Sequence, residues 1–324
     1  MSLMTRLSSC PVPSPAGDAG DGMCPGQRMR TLATPFPQLE GRHPCFSVTA
    51  AGHARSGRLH LPVSPGCNIA CRFCKRDFNE TEHRPGVARR LLSPEAALEV
   101  VHRALALCPS ITVVGIAGPG DTLFTDHALR TFALVHAAYP HLINCLSTNG
   151  LLLPDKAEAV VAAGVETVTV TVNAVDPVIE AQITPTIVHD HRRIDGEAGA
   201  TRLIAHQIEG IRRVTALGAV VKVNTVLIPG INDDHIATIA QTVAEAGASM
   251  INIIPLLPQH DFATLPAPSP LQLSRAQAAA RQHLTVFSHC QRCRADACGI
   301  PGVSDFADAL YGSGVTAAST FSHG

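Results

Sequence analysis

Apolar and polar positions along this chain alternate between short β-type runs and longer helical ones. Arg58 to Val63 alternates and runs into Pro65-Gly66, the pattern of a strand entering a loop. Ser93-Pro94-Glu95 supplies an N-cap, a proline at the first helical position and an acid in the first turn, which predicts a helix ending near Cys108. Ile111 to Ile116 is a continuous apolar run, as expected of a parallel strand buried on both faces, and it stops at Ala117-Gly118-Pro119-Gly120-Asp121. The same reading predicts a helix over about 126–138, the strand Ile143 to Thr148, a helix over Pro154 to Ala163 and the strand Thr167 to Val172. A long helix over about 199–217 stops at Gly218, and the strand Val220 to Leu227, a turn at 229–233, a helix to Ala246 and the strand Met250 to Ile254 follow. Residues 256–270 read as irregular, and Leu271 to Phe287 as a last helix. Strands alternating with helices, and no Rossmann glycine fingerprint, give an α/β fold of parallel βαβ units: an open (β/α)6 partial TIM barrel.

Composition narrows the functional classes. Of 324 residues, 46% are hydrophobic and 16% charged, enough apolar material for one large buried core. With Lys+Arg at 25 against Asp+Glu at 26, the chain has no basic footprint for nucleic acid or an anionic membrane. No stretch reaches the roughly 18–20 apolar residues a membrane span needs. The 11 cysteines are odd in number and clustered, which fits a reducing cytoplasm better than a disulfide framework. Residues 1–40 are rich in proline and glycine and read as a flexible leader, with Cys10 and Cys24 as incidental thiols. The core is expected over 41–300 and a tail over 301–324.

The candidate chemistry centres on Cys67-Asn68-Ile69-Ala70-Cys71-Arg72-Phe73-Cys74. Three thiolates at this spacing hold three corners of a [4Fe–4S] cube and leave one iron open for a ligand, whereas an ordinary cube takes four. Structural zinc is the competing reading, but zinc usually pairs two knuckles and no second one follows at finger spacing. Gly118-Pro119-Gly120-Asp121 exposes backbone at a strand end, with Asp121 as an acceptor for an ammonium group; a plain connection reads equally well. Ser147-Thr148-Asn149-Gly150 and Asn173-Ala174-Val175-Asp176 offer polar groups that also serve as turns and caps. Cys145 inside a strand is by default a small buried hydrophobe, and His43-Pro44-Cys45 alone is an ordinary turn. Cys290-Gln291-Arg292-Cys293 has metal-ligand spacing, favouring a second iron–sulfur site over zinc because three thiolates are already committed upstream.

The spacing of Cys67, Cys71 and Cys74 resembles the radical S-adenosylmethionine (SAM) superfamily. Within it the chain resembles the NifB family of nitrogenase iron-molybdenum cofactor biosynthesis. The resemblance is carried in order by His43-Pro44-Cys45, the cysteine loop, Glu82-His83-Arg84-Pro85-Gly86-Val87, 117–121, 145–150, 172–176, 221–233 and 290–297. It implies a radical SAM partial barrel with N- and C-terminal extensions, an enzyme that cleaves SAM and fuses two [4Fe–4S] substrate clusters around a SAM-derived carbide. By similarity Cys67, Cys71 and Cys74 hold the SAM-cleaving cluster, and Phe73, Gly118, Gly120, Asp121, Thr171 and Ile228 line SAM. Cys45, Cys290 and Cys293 would hold one substrate cluster, and His43 and Cys145 the other. The implied partners are iron–sulfur cluster donors and cofactor carrier or scaffold proteins of nitrogenase assembly. Two other readings stay open: a radical SAM enzyme with an auxiliary cluster acting on a peptide or small molecule, and a non-catalytic iron–sulfur scaffold or carrier. The family has a further cysteine a few residues after Cys74, and this chain has Asn79-Glu80 there.

Overall fold

The computed structural model describes residues 36–47 and 49–312, with the backbone of Ser322–His323. Cys10, Cys24 and most of the expected leader lie outside the described residues. The six expected strands form: β1 (Gly57–His60), β2 (Ile111–Ile116), β3 (Ile143–Thr148), β4 (Val165–Thr171), β5 (Val220–Leu227) and β6 (Met250–Pro255). They lie side by side, parallel and in chain order. Two short strands extend the sheet, β7 (Thr285–Val286) parallel to β6 and β8 (Cys298–Gly299) antiparallel to β1. Those two are the opposite edges of the sheet, so residues 287–297 cross from one edge to the other.

Helices fill the connections: α1 (Pro94–Leu107), α2 (His127–Ala138), α3 (Leu153–Ala162), α4 (Pro177–Ile183), α5 (Gly196–Ala216), α6 (Ile236–Glu245), α7 (Pro270–Ala280) and α8 (Ala307–Tyr311). Their starts follow local chemistry. Ser93 Oγ accepts from Ala96 N at the head of α1, and the Asp176 carboxylate accepts from Val178 N and Ile179 N at the head of α4. Between α4 and α5 lies a hairpin, Thr186–His189 with Arg192–Asp195, that the hydrophobic pattern did not announce. The last expected helix is corrected: α7 ends at Ala280, and Thr285-Val286 pairs instead with Met250 and Ile251 of β6.

Alternation along the strands divides the core in two. Outward residues such as Leu59, Val114, Leu146, Val168, Val170 and Val221 pack under the helices with Val101, Phe132, Val160 and Ile211. Inward residues Val113, Ile143, Val220 and Met250 meet Phe36, Leu39, Phe46 and Phe287. Phe36 and Leu39 are 6% and 2% exposed, so the expected leader boundary near residue 40 moves back to include them in the core. Each such side chain contributes roughly 1.5–3 kcal/mol on burial. The expected tail is likewise partly core: α8 packs on α1, and Tyr311 donates its hydroxyl to His60 O at 2.6 Å. Among the described residues no helix is long and apolar enough to cross a membrane.

Candidate active site

The loop after β1 carries Cys67, Cys71 and Cys74 to the carboxyl ends of the strands, where all three line one cavity of about 250 Å³. Two clasps hold that loop. Gly120 N donates to Ser64 O at 2.9 Å and Asp121 N to Gly66 O at 2.7 Å, an approach so close that a Cβ on Gly120 would stand 2.0 Å from Gly66 O. On the other side Ala70 N donates to Thr186 O and Val188 N to Asn68 O, tying the loop to the hairpin. The Asp121 carboxylate accepts from Leu123 N, Thr148 Oγ1 and Asn149 N, which fixes Asn149 where its Nδ2 reaches Asn68 Oδ1 at 2.7 Å and Cys67 Sγ at 3.6 Å. Thr184 Oγ1 lies 3.5 Å from Cys71 Sγ. Burial pushes the Cys67 and Cys71 thiols up, Cys71 well above its ordinary value; Arg76 opposes this at Cys67. At Arg76 itself burial works downward but is overcome by Cys67, Cys74, Cys71 and Asp121, and its pKa is raised.

Phe73, Gly120, Asp121 and Thr171 line the same cavity. Gly118 flanks it at φ +125°, and Ile228 stands behind the wall, packed with Phe262 and Leu256 and against Phe73; neither lines it. Sequence reading missed Arg76, Glu180, Thr184, Gln207 and Gln259, which do. Gln259 donates to Phe73 O at 2.9 Å, and Gln207 to Asn149 O and Thr171 O, both at 2.9 Å. Glu180 is 1% exposed and its Oε2 has no hydrogen-bond partner; burial pushes its carboxyl up to about 8, against hydrogen bonds from Thr184 and Ala174. Its signal was present in the chain: an acid one turn before Ile183, on the apolar face of α4.

A second polar group lies inside the barrel. Cross-strand register sets His60 beside Gly115 and Gly115 beside Cys145, and a Cβ on Gly115 would stand 3.0 Å from the His60 ring. Cys45 feels the charges of Lys222, Cys293, Cys145 and Cys290, after burial has pushed its thiol up to about 12. Lys222 is 6% exposed, donates to Cys45 O at 3.2 Å and lies 5.0 and 5.2 Å over the Phe46 and Phe287 rings. Arg58 donates to Cys293 Sγ from Nε and Nη2, at 3.4 and 3.1 Å. His43 is 2% exposed; its Nδ1 accepts from Cys45 N at 3.1 Å, and its Nε2 is buried without a partner. Burial first, then Lys222, holds its pKa well below the ordinary value. The structure thus brings Cys145, Cys290 and Cys293 into one neighbourhood with His43 and Cys45, none of them lining the three-cysteine cavity.

Comparison with known proteins gives the family. Residues 61–243 match the Radical SAM superfamily. Over 267 residues the chain is 42% identical to the FeMo cofactor biosynthesis protein NifB of Methanocaldococcus infernus, covering 82% of this chain and 87% of that one. The chain belongs to the NifB family. It is therefore a SAM-dependent iron–sulfur enzyme of the radical SAM superfamily. The NifB of Klebsiella pneumoniae is 42% identical over 268 residues, and this chain spans 57% of its length. Among solved structures, Streptococcus suis SuiB bound to S-adenosylmethionine shares the fold with a TM-score of 0.53 at 12% identity, over 72% of this chain and 50% of that one. A radical SAM methyltransferase from Sphaerobacter thermophilus gives 0.51 at 20%, over 71% and 64%. Cys67, Cys71 and Cys74 fit a [4Fe–4S] cube: the three thiols line one cavity, with Asn149 a donor to Cys67 and Thr184 a donor to Cys71. The resemblance leads to the expectation of a cysteine about where Asn79 and Glu80 stand. Their loop is pinned to the Cys293 segment by Arg294, which donates to Asn79 O and Glu82 O, both at 2.6 Å.

Proposed function

We propose that this chain makes the iron–sulfur–carbide precursor of the nitrogenase cofactor by fusing two [4Fe–4S] substrate clusters with a carbon from SAM. The observation that carries this reading is the second thiol neighbourhood: a SAM-cleaving site alone needs Cys67, Cys71 and Cys74, whereas His43, Cys45, Cys145 and Cys293, with the exposed Cys290 beside them, would supply a further donor set. Cys67, Cys71 and Cys74 would hold the resident cluster, with Phe73, Asp121 and Thr171 on the wall facing SAM. Cluster and SAM, when bound, supply the radical chemistry. The residues supply the rest. Arg76 offsets the charge of the thiolates, Asn149 and Thr184 orient two of the sulfurs, and Gln207 holds the Asn149 and Thr171 carbonyls in place.

Cys45, Cys290 and Cys293 would hold one substrate cluster and His43 with Cys145 the other. Ligation by His43 Nε2 requires its lone pair there, so Nδ1 must give up the bond from Cys45 N when cargo arrives. Incomplete ligation suits a cargo that has to leave. The carboxylate of Glu80 is a harder donor than the thiolate it replaces and a weaker ligand for an iron–sulfur cluster. Iron–sulfur cluster donors and cofactor carriers or scaffolds in the cytoplasm are the partners this chemistry calls for.

Anaerobic reconstitution with iron and sulfide is expected to load about twelve irons per chain, the sum of three four-iron cubes. SAM and reductant should then release 5′-deoxyadenosine. Serine at Cys45, Cys290 and Cys293 should remove roughly four irons while leaving deoxyadenosine formation intact, and Glu80→Cys should raise the yield of the eight-iron product. A wild-type content near four irons would sink the substrate sites; intact clusters with no deoxyadenosine would sink the catalysis.

A further inference from the structure

Where α3, α5 and the hairpin meet, Asp155, His189 and His206 each bring one ligand atom to within 4.8 Å of the others. None of the three belongs to the cysteine sites. His189 ends the first hairpin strand and is 6% exposed. Its Nε2 is buried without a hydrogen-bond partner and faces Asp155 Oδ2 at 3.8 Å, beyond hydrogen-bond range. The ring is held from behind: Nδ1 lies 3.3 Å from Asp190 Oδ2, and Asp190 and His191 take φ +52° and +59°, the pair that closes a tight two-residue hairpin turn.

His206 is set from the other side. Its Nδ1 lies 2.8 Å from Leu151 O, and a carbonyl only accepts, so the proton is on Nδ1 and the lone pair on Nε2. A backbone carbonyl or carboxylate behind a histidine is the usual outer partner of a metal-binding imidazole. The two rings stand 4.7 Å apart at 78°. Arg202 Nη1 also lies 3.3 Å from His189 Nδ1, and a guanidinium only donates, so binding a cation at Nε2 requires Arg202 to turn away and Nδ1 to donate to Asp190 instead.

We propose that Asp155, His189 and His206 bind one divalent cation of the zinc class. Two imidazoles and a carboxylate are a donor set that zinc takes with bonds of about 2.0–2.2 Å, which puts neighbouring ligand atoms about 3.3 Å apart. Asp155, 60% exposed on the first turn of α3, closes the remaining gap by a change of rotamer. The fourth position faces solvent past Asp155 and takes water. Bound there, the ion staples the hairpin to α3 and α5. The same hairpin accepts Ala70 N at Thr186 O and donates Val188 N to Asn68 O, so the staple braces the loop of Cys67 to Cys74.

The test uses cluster-loaded protein, whose thiols are occupied, dialysed against zinc and passed over a weak chelating resin. One zinc per chain is expected, with an X-ray absorption spectrum of nitrogen and oxygen neighbours and no sulfur at about 2.3 Å. Zinc should raise Tm and slow amide exchange at Ala70 and Val188. Asp155→Asn and His206→Gln alter side chains that reach the surface, so both variants should keep the zinc-free Tm while binding zinc at least tenfold more weakly. A sulfur shell, zinc well below one per chain, or undiminished binding in both variants overturns the site; unchanged exchange at Ala70 and Val188 overturns the brace.

Discussion

Glu180 is buried on the apolar face of α4, and its carboxyl is pushed up from 4.5 to about 8 by burial. The folded protein therefore holds a proton that the unfolded chain releases, so this residue's contribution is complete below about pH 4.5 and is lost as pH rises through about 8. His60 acts the other way, held down from 6.5 to about 4 by burial first and Arg58 second, and it costs stability only as pH falls below 6.5. Between pH 6.5 and 8 the slope from Glu180 stands clear of that of His60. Glu180→Gln is expected to flatten it and to gain on the order of 3 kcal/mol over wild type at pH 8. Urea denaturation of both proteins across that window checks the sign; parallel curves would refute it. Sequence carries the signal, an acid on the apolar face of α4, but the burial itself comes from distant partners, Ile228 and Leu256 packing with Ile183 on that face. Cysteines divide the same way: the spacing of Cys67, Cys71 and Cys74 names its chemistry before any folding, whereas Cys145 and Cys293 come to Cys45 only through tertiary packing of segments far apart in the chain.

At the scale of elements, legibility follows how local the cause is. Ser93 and Gly218 mark helix ends through their own backbone neighbours, and α1 and α5 end within two residues of expectation. β7 is two residues of edge strand fixed by pairing with β6, and local pattern extended a helix across it. The hairpin was invisible for a similar reason, since its strands of four residues include the polar Arg192-Arg193 and lean on the cysteine loop. That dependence runs in both directions. Val188→Pro removes the N–H that bonds Asn68 O, and it should speed loss of the Cys67, Cys71 and Cys74 cluster to a chelator several-fold while leaving other bound iron in place. Iron-release kinetics would decide it, and equal rates in both proteins would count against the clasp.

For the molecule as a whole, the open parallel barrel was legible from the alternation of runs, but its closures were not. Phe36 and Leu39 plug its amino end, and α8 covers its flank, although both lie in stretches whose composition read as leader and tail. A buried network anchors the crossing segment: Asp296, fully buried, accepts from Arg89 and from Arg294, which also grips the Glu80 loop. Arg294→Met leaves part of that carboxylate unpaired and should cost roughly 3–5 kcal/mol in chemical denaturation. The 287–297 segment has a consequence of its own. It bridges the one seam at which this sheet fails to close, fastened at its Cys293 to Asp296 end by Arg58, His60 and Arg89, while Cys290 stands exposed. Any group shared by Cys290 and Cys293 would therefore rest on a bridge between the two sheet edges, moored to β6 where Phe287 N donates to Ile251 O and to β1 through Arg58 and His60, and not on a strand.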